Sequence, residues 1–118
     1  MEAVWVFLGG GIGAVLRYVI SLVTYTPQSG FPIATLLANL LACFILSIVV
    51  FSLDSLDPKL KLFLGTGLCG GLSTFSTFSY ETVSLMQNGQ VGLSILYILI
   101  SIISCGLIFY GVWWWSVR

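Results

Sequence analysis

The chemistry-bearing residues of this chain are concentrated in one stretch. Gly65–Ser79 holds four glycines and six hydroxyl side chains in fifteen residues, inside a long apolar segment. Glycine is the poorest helix former after proline, so the Gly70-Gly71 pair predicts a helix break there. Broken backbone at membrane depth leaves N–H and C=O groups that cost several kcal/mol each unless protein, an ion or a wet cavity receives them. Beyond the break, Phe75 and Phe78 lie three residues apart and share one helical face, while Thr74, Thr77 and Glu81 form a polar one. Ring edges are partly positive and attract an anion without a full charge, and hydroxyls donate hydrogen bonds to it. The sequence alone leaves open whether the two rings serve an anion or only pack.

Polar lines recur on the other apolar segments. Thr35, Asn39, Cys43 and Ser47 repeat every fourth residue and fall on one helical face. Asn39 carries an amide that fits either a permeating anion or a cross-helix bond. Ser94, Tyr97, Ser101 and Ser104 also share a face, although serine often bonds back to its own helix. Gly9, Gly10, Gly13 and Ala14 provide small-residue spacing for close helix approach. Arg17 and Glu81 are the two charges deep within apolar segments, and such charges are rare and functional by default. Arg17 fits an anion-attracting vestibule or a topological anchor, and Glu81 can titrate, pair with Arg17 or meet a backbone donor.

The elements that must position these residues follow from composition. Of 118 residues, 58% are apolar and 7% charged, against roughly 25% charged in soluble domains. Lipid is the expected solvent, and a bilayer core of about 30 Å takes about 20 apolar residues per helix. The sequence predicts an all-α membrane protein in one domain, with four transmembrane helices at about 3–24, 32–53, 62–86 and 91–115, the third broken. Tyr25–Phe31, with Pro27 and Gly30, reads as a turn, as does Gln87–Gln90. Glu2 and the glycines of the first segment are unlike a cleaved signal peptide, so that segment is expected to be retained. The loop Asp54–Lys61 holds four of the eight charged residues and belongs in water. Lys59, Lys61 and Arg118 share one side and the opposite loops lack Lys and Arg, which favours cytoplasmic termini. Arg17 offsets that bias, so both orientations stay open.

Zero net charge and the lack of a basic patch argue against nucleic acid as a partner. The chain has no histidine, and Cys43, Cys69 and Cys105 are scattered without metal-ligand spacing. Most hydrolytic and redox sites cannot be assembled from this set, and no enzyme is expected.

Three segments together resemble the small fluoride channels called Fluc or CrcB. They are Gly9–Tyr18, Phe31–Asn39, and Gly67–Phe78 followed by Glu81. The resemblance implies an antiparallel, dual-topology dimer in the cell membrane, formed with the same chain or a paralogous subunit. It also implies two anion pathways lined by both subunits, and passive export of fluoride that protects the cell from its toxicity. The family's phenylalanine pair corresponds to Phe75 and Phe78, its pore asparagine to Asn39, and its polar track to Ser76 and Thr77. The serine-bearing face of its last helix corresponds to Ser101 and Ser104, and its basic residue in the first helix to Arg17. Backbone carbonyls matching Gly70 and Ser73 are implied to hold one structural, untransported Na⁺. The chain departs from the family pattern with Ala34 in place of a frequent glycine and Ser73 in place of threonine.

Two other readings compete. A small proton-coupled drug exporter needs a carboxylate on its first helix, where this chain has Arg17 and only terminal Glu2. A non-transporting assembly subunit would use the same polar stripes merely to hold helices together.

Overall fold

A computed structural model describes residues 1–25 and 30–118. The described residues are helical with no strand: α1 (Glu2–Val23), α2 (Ile33–Phe51), α3 (Pro58–Lys61), a π-helical stretch (Leu62–Cys69), α4 (Gly70–Leu72), α5 (Phe75–Gln87) and α6 (Val91–Ser116). The expected turn around Pro27 lies largely outside the described residues.

Three of these helices, α1, α2 and α6, are long and apolar enough to cross a membrane. At 1.5 Å per residue they extend about 33, 29 and 39 Å, enough for the hydrocarbon core of a bilayer. Between α2 and α6 the chain runs as a bent, interrupted helix from Pro58 to Gln87. It starts four residues before the expected Leu62, inside the charged loop. Asp57 caps it by accepting from Lys59 N–H at 2.8 Å, and Pro58 sits in the first turn, where its missing N–H is harmless. At its far end, Gln90 N–H donates to Leu85 O and Gly89 N–H to Met86 O. Gly89 takes φ 77°, so a left-handed cap closes the helix as the Gln87–Gln90 turn requires.

The core of one chain is made of small residues. Ala38, Ala42, Cys69 and Leu72 form a buried cluster, with Ile20, Ile45 and Leu46 packed against it. Most large apolar side chains of α1 and α6 face outward, as expected for helices whose surroundings are as apolar as they are.

The closest packing joins α1 to the π-helical stretch and α4. A Cβ on Gly67 would come within 2.9 Å of Gly9 Cα and Val6 O, and one on Gly13 within 2.8 Å of Leu72 N. A Cβ on Gly71 would lie 3.0 Å from Ala14 N. Backbone therefore rests on backbone, and the small-residue spacing of α1 finds its partners at Gly67 and Gly71. This contact holds the first half of the interrupted helix in place.

Candidate functional site

The interruption falls at Ser73 and Thr74, not at the glycine pair. Gly70 is helical, with φ −64° and ψ −37°. Ser73 and Thr74 are extended, at φ −77°, ψ 152° and φ −150°, ψ 121°. The expectation of a break at Gly70-Gly71 is thus corrected by three residues. The physical reason is that Gly71 is occupied by close packing against α1, while the backbone of Thr74 finds another partner in Asn39.

Those partners can be traced atom by atom. Thr74 N–H, which a continuous helix would direct to Gly70 O, donates to Asn39 Oδ1 at 2.8 Å. Asn39 Nδ2 donates back to Thr74 O at 3.4 Å. Thr77 N–H, which would otherwise reach Ser73 O, donates to Thr74 Oγ1 at 3.2 Å, so Thr74 caps α5 with its own hydroxyl. The carbonyls of Gly70 and Ser73 have therefore lost the donors that a helix would give them. Ser73 Oγ turns back to Cys69 O at 2.7 Å, so its hydroxyl is spent within its own turn. Asn39 pins the break, and one of its two amide hydrogens remains for another acceptor.

Two cavities flank the start of α5. The first, about 290 Å³, is lined by Asn39, Phe75, Phe78 and Ser101 together with Cys43 and Cys105. Phe75 is 79% exposed on the surface of the chain, and its ring centroid is 5.7 Å from that of Phe78. Phe78 lies 5.0 Å from the ring of buried Tyr97, which meets Phe31 edge-on at 5.5 Å. Four rings thus form a row leading away from the cavity. Ser101 Oγ is buried with no hydrogen-bond partner among the described residues. An orphaned hydroxyl at this depth asks for a ligand or water.

The second cavity, about 340 Å³, brings together Arg17, Thr35, Thr77 and Glu81. The expected partners of Glu81, Arg17 or a backbone donor, are replaced by two hydroxyls. Thr35 Oγ1 donates to Glu81 Oε1 at 2.7 Å and Tyr97 OH donates to Glu81 Oε2 at 2.8 Å. Arg17 Nε is buried without a hydrogen-bond partner among the described residues.

The expected site residues are therefore divided. Asn39, Phe75, Phe78 and Ser101 share the first cavity, and Arg17, Thr77 and Glu81 share the second. Ser76 is exposed and lies 3.2 Å from Thr74 Oγ1 through its hydroxyl. Ser104 does not line the first cavity but bonds back to Ile100 O, and Cys105 takes that place one turn beyond Ser101. Cys105 and Tyr97 are the site residues that sequence reading missed in these roles. The four-residue step from Ser101 to Cys105 was the available signal, obscured because cysteine reads as a small apolar residue.

Residues 4–112 match the family described as "CrcB-like protein, Camphor Resistance (CrcB)". A protein of Pyrococcus horikoshii named "Fluoride-specific ion channel FluC" is 47% identical over 108 residues, covering 88% of this chain and 87% of its own. Proteins of the same name from Clostridium perfringens and Shewanella halifaxensis are 46% and 43% identical, covering 91% and 92% of this chain and 86% and 90% of theirs. With three bilayer-length helices and relatives of this kind, this is a multi-pass membrane protein. A match of that extent, over the segments that build both cavities, means that the chain belongs to the CrcB family.

Proposed function

We propose that the chain is a subunit of a fluoride-specific channel of the cell membrane, passing fluoride passively down its electrochemical gradient and so protecting the cell. The observation that carries this reading is the cavity beside the helix break. It combines an amide, two phenyl rings and a buried, unpartnered hydroxyl, and no cation lines it. Fluoride is small and strongly hydrated. A passage must replace its water with donors that are each weak enough to let it leave. Ring edges, one free amide hydrogen of Asn39 and the hydroxyl of Ser101 are weak sites in series. Arg17, in the neighbouring cavity, raises the local anion concentration without standing in the passage. Ser76 and Thr77 continue a hydroxyl track along the first turn of α5, and Ser104, which bonds back to Ile100 O, stands one turn outside the cavity lining.

A single chain leaves the first cavity open beside exposed Phe75. A second subunit, either another copy or a paralogous chain, completes the passage when it packs in antiparallel orientation. Fluoride and the lipid bilayer are the remaining partners.

The donor set at the break fits a structural Na⁺. Gly70 and Ser73 present carbonyl oxygens released from helical bonding, and hard cations take oxygen ligands. When bound, the ion would neutralise these carbonyl dipoles at membrane depth. Two carbonyls are too few for one chain to hold it alone, which supports sharing between two subunits. The threonine-to-serine departure at Ser73 is harmless on this reading, since its hydroxyl is turned to Cys69 O.

The test is fluoride-electrode recording of efflux from liposomes containing the purified protein. Fluoride release with little chloride release, independent of a proton gradient, is the expected result. Exchange of Na⁺ for a large organic cation should stop that release. A folded dimer, alone or with its paralogue, that releases no fluoride would overturn the channel reading. Undiminished release without Na⁺ would overturn the cation assignment.

A further inference from the structure

We infer that Lys61 and the groove beneath it form a binding site for an anionic phospholipid, the ammonium holding the phosphate and the groove the first methylenes. Lys61 is the last residue of the charged loop, and Leu62-Phe63-Leu64 follow it directly. It therefore stands where water gives way to hydrocarbon, the depth at which a lysine stem lies along apolar surface and its charge reaches the head groups. A third cavity, about 410 Å³, opens beside it between α2 and the π-helical stretch. Leu46, Val49 and Val50 make its apolar wall, and Lys61, Gly65 and Thr66 face them. From Val50 to Leu46 it descends one helical turn, about 6 Å. Gly65 contributes no side chain to fill it.

Charge decides the head group. Lys61 is half-buried, and its Nζ donates to Asp54 O at 2.9 Å. That acceptor is a neutral carbonyl, and the ammonium keeps further hydrogens for another partner. A phosphodiester supplies the opposite charge and the free oxygens. Thr66 supports the same occupant. Ser21, Ser47, Ser79 and Thr82 turn their hydroxyls back to their own helices. Thr66 makes no such bond among the described residues and lines the cavity as a donor. A zwitterionic lipid carries its own ammonium beside the phosphate, which competes with Lys61, so the site prefers a lipid with net negative charge. The deeper neighbouring cavity shares Leu46, Gly65 and Thr66 but reaches Gly70 and Ser73, on the face assigned above to a partner subunit.

The test counts bound lipid by native mass spectrometry of the purified full chain, titrated in detergent with phosphatidylglycerol or phosphatidylcholine. The wild type should retain about one phosphatidylglycerol per chain in preference to phosphatidylcholine. One basic residue at a membrane surface changes affinity for anionic lipid about fivefold, so Lys61→Gln should weaken phosphatidylglycerol retention by at least that factor. Lys59→Gln removes the same charge two residues away, from an exposed side chain that does not line the cavity, and should stay near wild type. Gly65→Met fills the groove with both lysines intact and should also lower retention; its Cβ meets Leu46 Cδ1 at 3.6 Å, an ordinary contact that the fold accommodates. Elution profile and circular dichroism report that each variant is folded. Equal weakening in Lys59→Gln and Lys61→Gln would mean diffuse surface charge and overturn the site. Equal retention of the two lipids, or displacement of phosphatidylglycerol by excess inorganic phosphate, would overturn the lipid assignment. A folded wild type that retains no phosphatidylglycerol would mean that a second copy closes the groove, and would overturn it too. Fluoride efflux is not read in this experiment, so failure of the channel reading would leave its outcome intact.

Discussion

Replacing Asn39 by leucine removes the groups that hold the helix break while keeping the side chain's branching and heavy-atom count. Two bonds are lost, Thr74 N–H to Oδ1 at 2.8 Å and Nδ2 to Thr74 O at 3.4 Å. If the break persists, Thr74 N–H is left buried without a partner, which costs about 1–3 kcal/mol. At 1.4 kcal/mol per decade, that is about a 5- to 150-fold bias towards alternative arrangements. The alternative at hand is a healed helix, with Thr74 N–H returned to Gly70 O. Ser73 and Thr74 would then pass from extended to helical backbone, shortening the chain path by about 3–4 Å over two residues. Phe75 and Phe78 would turn away from the cavity, and the Gly70 carbonyl would no longer be free. Both outcomes lower conduction, so initial rates of fluoride efflux should fall at least tenfold if the shift exceeds about 1.4 kcal/mol. Thermal unfolding in detergent separates the two: a persistent break lowers stability, and a healed helix largely preserves it. Asn39→Asp keeps an acceptor for Thr74 N–H and loses the donor. It should unfold nearer to wild type than a leucine variant with a persistent break, yet conduct poorly. Wild-type efflux and wild-type stability in Asn39→Leu would refute the claim that this amide sets the break.

Other substitutions test the frame and the rings. Gly71→Ala places a Cβ about 3.0 Å from Ala14 N and closer still to the Gly10 carbonyl, so α1 must move. Overpacking of this kind costs about 1–3 kcal/mol, whereas Gly11→Ala meets nothing within 4 Å and should gain about 0.5–1 kcal/mol in helix propensity. Thermal unfolding followed by tryptophan fluorescence should rank the two in that order, and the reverse order would refute the backbone-on-backbone packing. Phe78→Ile removes a ring that contacts both Phe75 and Tyr97, and Phe75→Ile removes an exposed ring that packs only at one side. Both should strongly reduce fluoride efflux, with a larger loss of stability for Phe78→Ile; unchanged efflux in both would mean that the rings serve packing alone.

Much of the molecule is determined by the sequence itself. Scarce charge and long apolar runs fix a membrane bundle, because only helices of about 20 residues satisfy their own backbone in lipid. The helix ends near Val23, Phe51, Gln87 and Ser116 follow from local composition. The start at Pro58, expected at Leu62, was missed although Asp57-Pro58, a cap followed by a first-turn proline, signals it. The crowd of glycines and hydroxyls announced an interruption, but its position was not local information. Glycine at 70 and 71 can either break a helix or let another helix approach. Only the packing of α1 against Gly67 and Gly71 decides for approach. Ser73 and Thr74 become extended because Asn39, 35 residues before Thr74, offers the Thr74 backbone a partner. The same holds for Glu81, whose hydroxyl partners on α2 and α6 are fixed by how three helices meet. Residue types and periodicity define which groups can do chemistry. Which of them share a cavity depends on contacts between helices, and no spacing within one helix encodes those.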